Sequence, residues 1–419
     1  MAGIYFHVPF CKSRCRYCDF FSSTMEELKV PYVEAVCREL SQRKDYLQGE
    51  TVETLYFGGG TPSRLSHDLF KMIFEEVKKI FGEQISRDGE QISRDEEGKK
   101  SCAEKTHHDD DGQMSLRECT VEVNPDDVSP AWIENLVGVW KEVMGDSCPL
   151  RISMGIQSFH DSLLSLIGRR HNAKQAIDAV ETLRKAGITE ISIDLMYGLP
   201  GEKTEMWHED LTQAISLRVP HISAYHLSYE SGTALWQMRE KGTVSEVDED
   251  TSLLFFRMLR NELLKAGYQH YEISNFALPG HHAKHNSSYW SSVPYLGIGP
   301  GAHSYNGFSR RWNAGDIKRY VETKDFTREG DNACFTTEIL SAEDKYDEYI
   351  MTRLRTAKGA CLEEVGNLFG EKRLNYLIDK AQPYIHSQRL RLSEEGYLTL
   401  SPEALFVSDG IIADLFADD

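Results

Sequence analysis

Tyr5-Phe6-His7-Val8-Pro9-Phe10-Cys11-Lys12-Ser13-Arg14-Cys15-Arg16-Tyr17-Cys18 opens as a β-rich run and ends in three cysteines within eight residues. The same join, a short run rich in Val, Ile, Tyr or Phe followed by polar or Gly-rich chemistry, recurs along the first 230 residues. Candidate strands span 4–8, 54–57, 119–123, 151–154, 190–195 and 221–226. Gly58-Gly59-Gly60-Thr61 follows the second, Glu122 sits on the third, Gln157 follows the fourth and Asp194 lies in the fifth. Helical patterns fill the gaps. Over 173–186, Asn172 serves as N-cap, Ala176, Ile177, Val180 and Leu183 share one face, and Gly187 closes the helix. Strands alternating with helices predict a parallel sheet. Chemistry at the C-terminal end of nearly every strand is what a TIM-type barrel needs, because those ends converge on one mouth. The expected fold class is therefore α/β, a (β/α)6 partial barrel over residues 1–230.

A chain of 419 residues that is 40% hydrophobic and 27% charged has material for a sizeable core and for two or three domains, which excludes disorder of the whole. Its net charge of -19 argues against nucleic acid as a partner. The charge is concentrated in residues 82–118 and in an acidic tail over 392–419. No apolar run approaches a membrane span and no basic segment precedes a signal-peptide core, so the expected location is cytoplasmic. Nine cysteines do not pair completely, and a chain this long needs no stapling, so reduced thiols are expected. Cys37, Cys102, Cys119, Cys148, Cys334 and Cys361 scatter, whereas the N-terminal three crowd together.

Residues 82–118 interrupt the β/α rhythm with a doubled GEQISRD (82–88 and 89–95) and a HHDDDG run, and read as a flexible polar insertion. His107 and His108 beside Asp109 to Asp111 read as a bland surface loop rather than a metal site. Residues 231–335 read as a segment completing the barrel, with a helix near 249–266, a strand over 270–277 and a Gly-, His- and aromatic-rich stretch over 280–307. Residues 336–419 read as a small α+β domain, winged-helix-like, with a strand pair at 390–392 and 397–400.

Cys11, Cys15 and Cys18 supply three thiolates with no fourth cysteine nearby. A structural zinc site wants four ligands, whereas three cysteines on a [4Fe-4S] cluster leave one iron open for a substrate or cofactor. A zinc site completed by a distant histidine and buried free thiols are the alternatives. Lys12, Arg14 and Arg16 offset the charge of a cluster and its ligand. The CxxxCxxC spacing, with Tyr5 to Phe10 before it, resembles the signature of radical S-adenosylmethionine (SAM) proteins, in the group that contains coproporphyrinogen III dehydrogenase and the heme chaperones. The resemblance implies that SAM chelates the open iron and that an electron from the cluster cleaves its C–S bond. It also implies SAM contacts at Gly59, Gly60 and Thr61 of the Gly-rich strand, at the acidic Glu122 and Asp194, at Gln157 and Arg169, and at the aromatic Tyr5 and Tyr17.

Three departures separate the two functions within that group. The dehydrogenase motif continues to a fourth cysteine where this chain has Phe20. Only ten residues precede Cys11, so the dehydrogenase's covering extension is not expected. His285-Asn286-Ser287-Ser288-Tyr289-Trp290 resembles the HNxxYW motif of the heme chaperones. Imidazole and phenolate ligate heme iron, and an aromatic ring stacks on the macrocycle. The resemblance therefore implies a heme chaperone with His285 as axial ligand and Asn286, Tyr289 and Trp290 lining the site, which passes heme to respiratory or membrane-linked acceptor proteins. Peripheral membrane association through such partners and a homodimer go with that reading. The alternative is oxygen-independent coproporphyrinogen III dehydrogenase, an enzyme performing radical oxidative decarboxylation in porphyrin biosynthesis.

Overall fold

The structure, a computed structural model, describes residues 1–85, 116–146, 148–330 and 333–417. All six expected strands form: β1 (Ala2–Val8), β2 (Val52–Gly59), β3 (Glu118–Val123), β4 (Leu150–Gln157), β5 (Glu190–Tyr197) and β6 (His221–His226). They lie side by side in chain order, every pair parallel. The crossovers carry α1 (Lys29–Gln42), α2 (His67–Ile85), α3 (Pro130–Met144), α4 (Asp161–Ile167), α5 (Ala173–Lys185) and α6 (Thr204–Ser216). A crossover helix must cover the outer face of the sheet, and here the aromatic rings do this: Phe6 and Phe57 stack at 4.4 Å between centroids, and Phe70, Phe74 and Trp140 close over them. The Asn172 capping box with Gln175 starts α5, and Ala176, Ala179, Val180 and Leu183 are buried.

The sheet continues past the six strands on both sides. After α7 (Ala234–Glu240) and α8 (Glu249–Lys265), the stretch expected as one strand over 270–277 is a hairpin, β7 (Gln269–Glu272) and β8 (Asn275–Ala277). Its second arm pairs antiparallel with β6, which a single unbroken strand does not permit while β7 pairs beside it. Following α9 (Lys284–Trp290), β9 (Tyr295–Ile298) joins β1 in parallel. Then β10 (His303–Tyr305), β11 (Ser309–Asn313), α10 (Ile317–Glu322) and β12 (Phe335–Ile339) extend that edge antiparallel, so that this sheet has twelve strands among the described residues.

A second core, including Tyr346, Ile350, Leu377, Leu398 and Ile412, lies within α11 (Ala342–Leu354), β13 (Ala360–Cys361), α12 (Leu362–His386), β14 (Leu390–Leu392), β15 (Tyr397–Leu400) and α13 (Ser408–Ala413). The strand pair expected at 390–400 is there, with β13 on its other side. Two boundaries move. Residue 336 falls inside β12, which belongs to the large sheet, and the acidic stretch from 392 is no free tail as far as 417, because Ile411, Ile412 and Leu415 are buried. At the insertion's edges, 82–85 finish α2, and Leu116 and Glu118 are buried at the start of β3. The second GEQISRD copy and the His107 to Asp111 run lie outside the described residues. Among those described, no helix is long and apolar enough to cross a membrane.

Candidate functional site

The cysteine loop leaves β1 at Val8 and is pinned at both ends. Cys11 N donates to Ser23 O and Ser23 N to Pro9 O, at 2.9 and 2.7 Å. His7 Nε2 lies 2.8 Å from Phe21 O, and its Nδ1 lies 3.1 Å from the Tyr5 hydroxyl. Tyr5 thus steadies the loop through His7 and does not border the cavity. Midway, Arg16 N donates to Ile167 O at the end of α4, and Arg16 O accepts from Leu235 N at α7. Gly59 (φ 102°) and Gly60 pass directly beneath this assembly. A Cβ on Gly59 lies 2.6 Å from the His7 ring, and one on Gly60 lies 2.7 Å from the Pro9 carbonyl carbon. The requirement for glycine there comes from packing against the loop's root.

Cys11, Cys15 and Cys18 border a cavity of about 510 Å³ that runs from the barrel mouth into its interior. No other cysteine among the described residues lines it. The three thiols do not converge with other ligands on a single-ion site among the described residues. A cluster whose irons each take one thiolate suits such a spread better than zinc does.

Tyr17, Gly59, Gly60, Thr61, Glu122, Gln157, Arg169 and Asp194 all border the same cavity. Glu122 Oε1 accepts from the Tyr56 hydroxyl at 2.7 Å and Oε2 from Gly59 N at 3.1 Å. Arg169 Nη2 donates to Asn124 Oδ1 at 2.7 Å and to Gly155 O, and its Nη1 lies 3.5 Å from Cys15 Sγ. Its Nε is buried with no hydrogen-bond partner, the kind of orphan donor that a ligand's acceptor completes. Burial pushes Glu122 up to about 7, with the Asp194 charge adding to it, and pushes Asp194 up to about 6. Two buried carboxyls with raised pKa values facing one cavity suit hydroxyl or ammonium groups as partners.

These shifts carry a pH prediction. A carboxyl whose pKa is raised on folding stabilises the fold below its ordinary value, and that contribution is lost as pH rises through the folded value. In the unliganded protein the melting temperature is expected to fall from pH 4.5 to 7 more steeply than in Glu122→Gln. The difference amounts to on the order of 3 kcal/mol at most. Parallel pH slopes for the two proteins in thermal melts exclude the assignment.

The HNxxYW residues divide. His285 is wholly enclosed, Nδ1 2.8 Å from Thr54 Oγ1 and Nε2 2.9 Å from the Tyr289 hydroxyl, and burial lowers its pKa to about 3. Neither ring nitrogen is free in this conformation. Glu118 fixes the start of α9 by accepting from Lys284 N and His285 N. Asn286 borders the barrel cavity at the end opposite the cysteines, while Tyr289 and Trp290 line a separate cleft of about 300 Å³ with Tyr295, Tyr305, Arg310 and Met351.

Several site residues escape the sequence reading. Asn124 bridges Thr61 Oγ1 (3.1 Å) and Arg169, two residues past Glu122. Arg151 and Ser153 on β4, Ser192 and Met196 on β5, and His221, Ser223 and Tyr225 on β6 face the cavity beside the expected Gln157 and Asp194. Their spacing of two was the available signal.

A model of the radical SAM superfamily matches residues 5–214. The heme chaperone HemW of Lactococcus lactis is 32% identical, over 94% of this chain and 93% of its own. That of Bacillus subtilis is 28% identical, over 97% and 95%. Escherichia coli coproporphyrinogen III oxidase HemN, a radical SAM enzyme, superposes with a TM-score of 0.76 at 17% identity, over 99% of this chain and 90% of that one, a likeness of fold. With the superfamily model spanning half the chain and HemW similarity running nearly end to end, the chain belongs to the radical SAM superfamily and, within it, to the HemW family.

Proposed function

We propose that this protein binds heme and passes it to a heme-requiring acceptor protein, using a radical SAM scaffold. The observation that carries the reading is the likeness to proteins named heme chaperone HemW over more than nine-tenths of both chains. Phe20, where the dehydrogenase motif has its fourth cysteine, supports it. Cys11, Cys15 and Cys18 hold the [4Fe-4S] cluster. Glu122, Gln157, Asp194 and Arg169 orient SAM, with Tyr17, Gly59, Gly60 and Thr61 around it. When bound, the cluster supplies the electron that cleaves the C–S bond of SAM. The orphan Nε of Arg169 and the one cavity that all three thiols border support this fit.

For heme, His285 is the motif's imidazole, and Asn286, Tyr289 and Trp290 are its members that line open space. His285 reaches iron only after Nε2 parts from the Tyr289 hydroxyl, a hydrogen bond worth about 1 kcal/mol. Ligation is therefore coupled to loosening of α9.

The test is anaerobic reconstitution followed by parallel assays of heme binding, heme transfer to an apo-heme protein and coproporphyrinogen III conversion. Heme binding and transfer without turnover is the expected result, and protoporphyrinogen formed at catalytic turnover overturns it. Tyr289→Phe is expected to speed heme association, and His285→Ala to remove the imidazole signature from the absorption spectrum. An unchanged spectrum in His285→Ala moves the ligand elsewhere.

A further inference from the structure

Gln157 closes β4 with φ 71°, and among the described residues it is the one non-glycine residue with positive φ that borders the cysteine-lined cavity. Left-handed backbone is costly for a residue with a Cβ and persists only where the surroundings hold it. At the ends of β2 and β5 the same need falls to Gly59 (φ 102°) and Gly198 (φ 77°). At β4 a side chain is kept. The Gln157 amide makes no hydrogen bond among the described residues. It lies against Gly155, where an added Cβ comes 2.8 Å from Gln157 Nε2 and 3.2 Å from Arg169 Nη2. The amide therefore offers a donor and an acceptor to the cavity beside the Arg169 guanidinium.

The hold comes from outside the barrel. Ser158 N donates to Ile156 O at 3.0 Å, closing a three-residue turn on Gln157, and His171 Nε2 lies 3.0 Å from the same carbonyl. Asp210 on α6, 0% exposed, then takes the two residues that follow: Oδ2 accepts from Ser158 Oγ and Oδ1 from Phe159 N, each at 2.7 Å. Ser158 Oγ accepts in turn from His160 N at 3.0 Å. Neither Asp210 nor Ser158 borders the cavity, so their part is to aim a residue that does. We infer that Asp210 is a positioning residue for SAM, fixing the Gln157 amide over Gly155 by clamping Ser158 and Phe159. The inference rests on the SAM contact proposed for Gln157 and not on heme binding.

A double-mutant cycle tests this, with SAM affinity measured by calorimetry on the anaerobically reconstituted protein. Asp210→Ala is expected to weaken SAM binding about fivefold or more, the scale of one well-placed hydrogen bond. Asp210→Asn keeps an acceptor and the volume, and is expected to restore most of that affinity. In Gln157→Ala, itself weaker than the unaltered protein, adding Asp210→Ala is expected to cost no further SAM affinity while still lowering the melting temperature. Gln157→Gly adopts φ 71° without strain, so adding Asp210→Ala there is expected to lower the melting temperature less than it does in the unaltered protein. Ser158→Ala removes one clamping bond and leaves the carboxylate in place. It covers the case in which Asp210→Ala does not fold, and is expected to weaken SAM binding with Gln157 present and not in Gln157→Ala. Equal losses of SAM affinity with and without the Gln157 amide overturn the inference and leave Asp210 a role in stability alone. Unchanged affinity in a folded Asp210→Ala overturns it too, as does unchanged affinity in Gln157→Ala, which removes the contact through which Asp210 acts. Failure of the unaltered, cluster-loaded protein to bind SAM defeats the SAM reading itself and is seen before any variant is made.

Discussion

Cys15→Ala is expected to leave the reconstituted protein without iron-sulfur absorbance and to take its iron from about four per chain to near zero. The effect is this large because no other described cysteine is near enough to replace the thiol. Cys37, Cys119, Cys148, Cys334 and Cys361 all lie away from the cavity, four of them fully buried. Cys15 also has a partner that the other described thiols lack, the Arg169 guanidinium 3.5 Å from its sulfur, whose charge complements whatever anionic group the sulfur joins. That same arginine ties the loop to Asn124 and Gly155, so SAM affinity is expected to fall with the iron. Cys361→Ala is the control and should keep its full iron complement. Iron and sulfide analysis with absorption spectra decides between these outcomes, and a full complement in Cys15→Ala removes the loop as the cluster's seat.

The barrel was legible in the sequence because each of its strands is a short β-branched or aromatic run ending in Gly or polar residues, and the crossover helices carry caps such as Asn172. Its extension was not. The strands β9 to β12 are three to five residues long, too short for a period to show, and they are held by a buried carboxylate far away in sequence. The cluster loop, Glu122 and Asp194 were visible from their places at strand ends. The inward serines were hidden because strands buried on both faces read as continuous runs rather than alternation. His285 shows the opposite failure. A motif indicates which residue types recur together, and does not distinguish an imidazole offered to a ligand from one that bonds Thr54 and Tyr289. Of the four residues, Asn286 reaches the cavity that the cysteines border at its other end, which links the motif to the cluster site by position.

Glu39→Ala is expected to cost about 3–5 kcal/mol, the penalty for leaving a buried charge uncompensated. Glu39 is 0% exposed and accepts four hydrogen bonds: from Arg43 Nη1 (2.8 Å), Asn313 Nδ2 (2.8 Å), Gly299 N (3.0 Å) and the Tyr320 hydroxyl (2.7 Å). Arg43, 4% exposed, spends its other contacts on Gly297 O and Ser304 Oγ at 2.9 Å each. The Glu39–Arg43 pair therefore anchors β9, β10, β11 and α10 to the barrel. Truncating Glu39 strands the guanidinium without its only ion-pair partner among the described residues and unpairs a backbone N–H and a phenol as well. The loss reaches the site through β9, which pairs with β1 along Gly3 to Phe6, just ahead of the cysteine loop. Glu39→Met/Arg43→Met separates charge from packing, since replacing both members of a buried pair by apolar groups of similar volume is often close to neutral. Denaturant unfolding of the three proteins, followed by the shift in midpoint, is expected to rank Glu39→Ala well below the double variant. If the single and double variants fall equally, the hydrogen bonds and not the stranded charge hold this edge of the sheet.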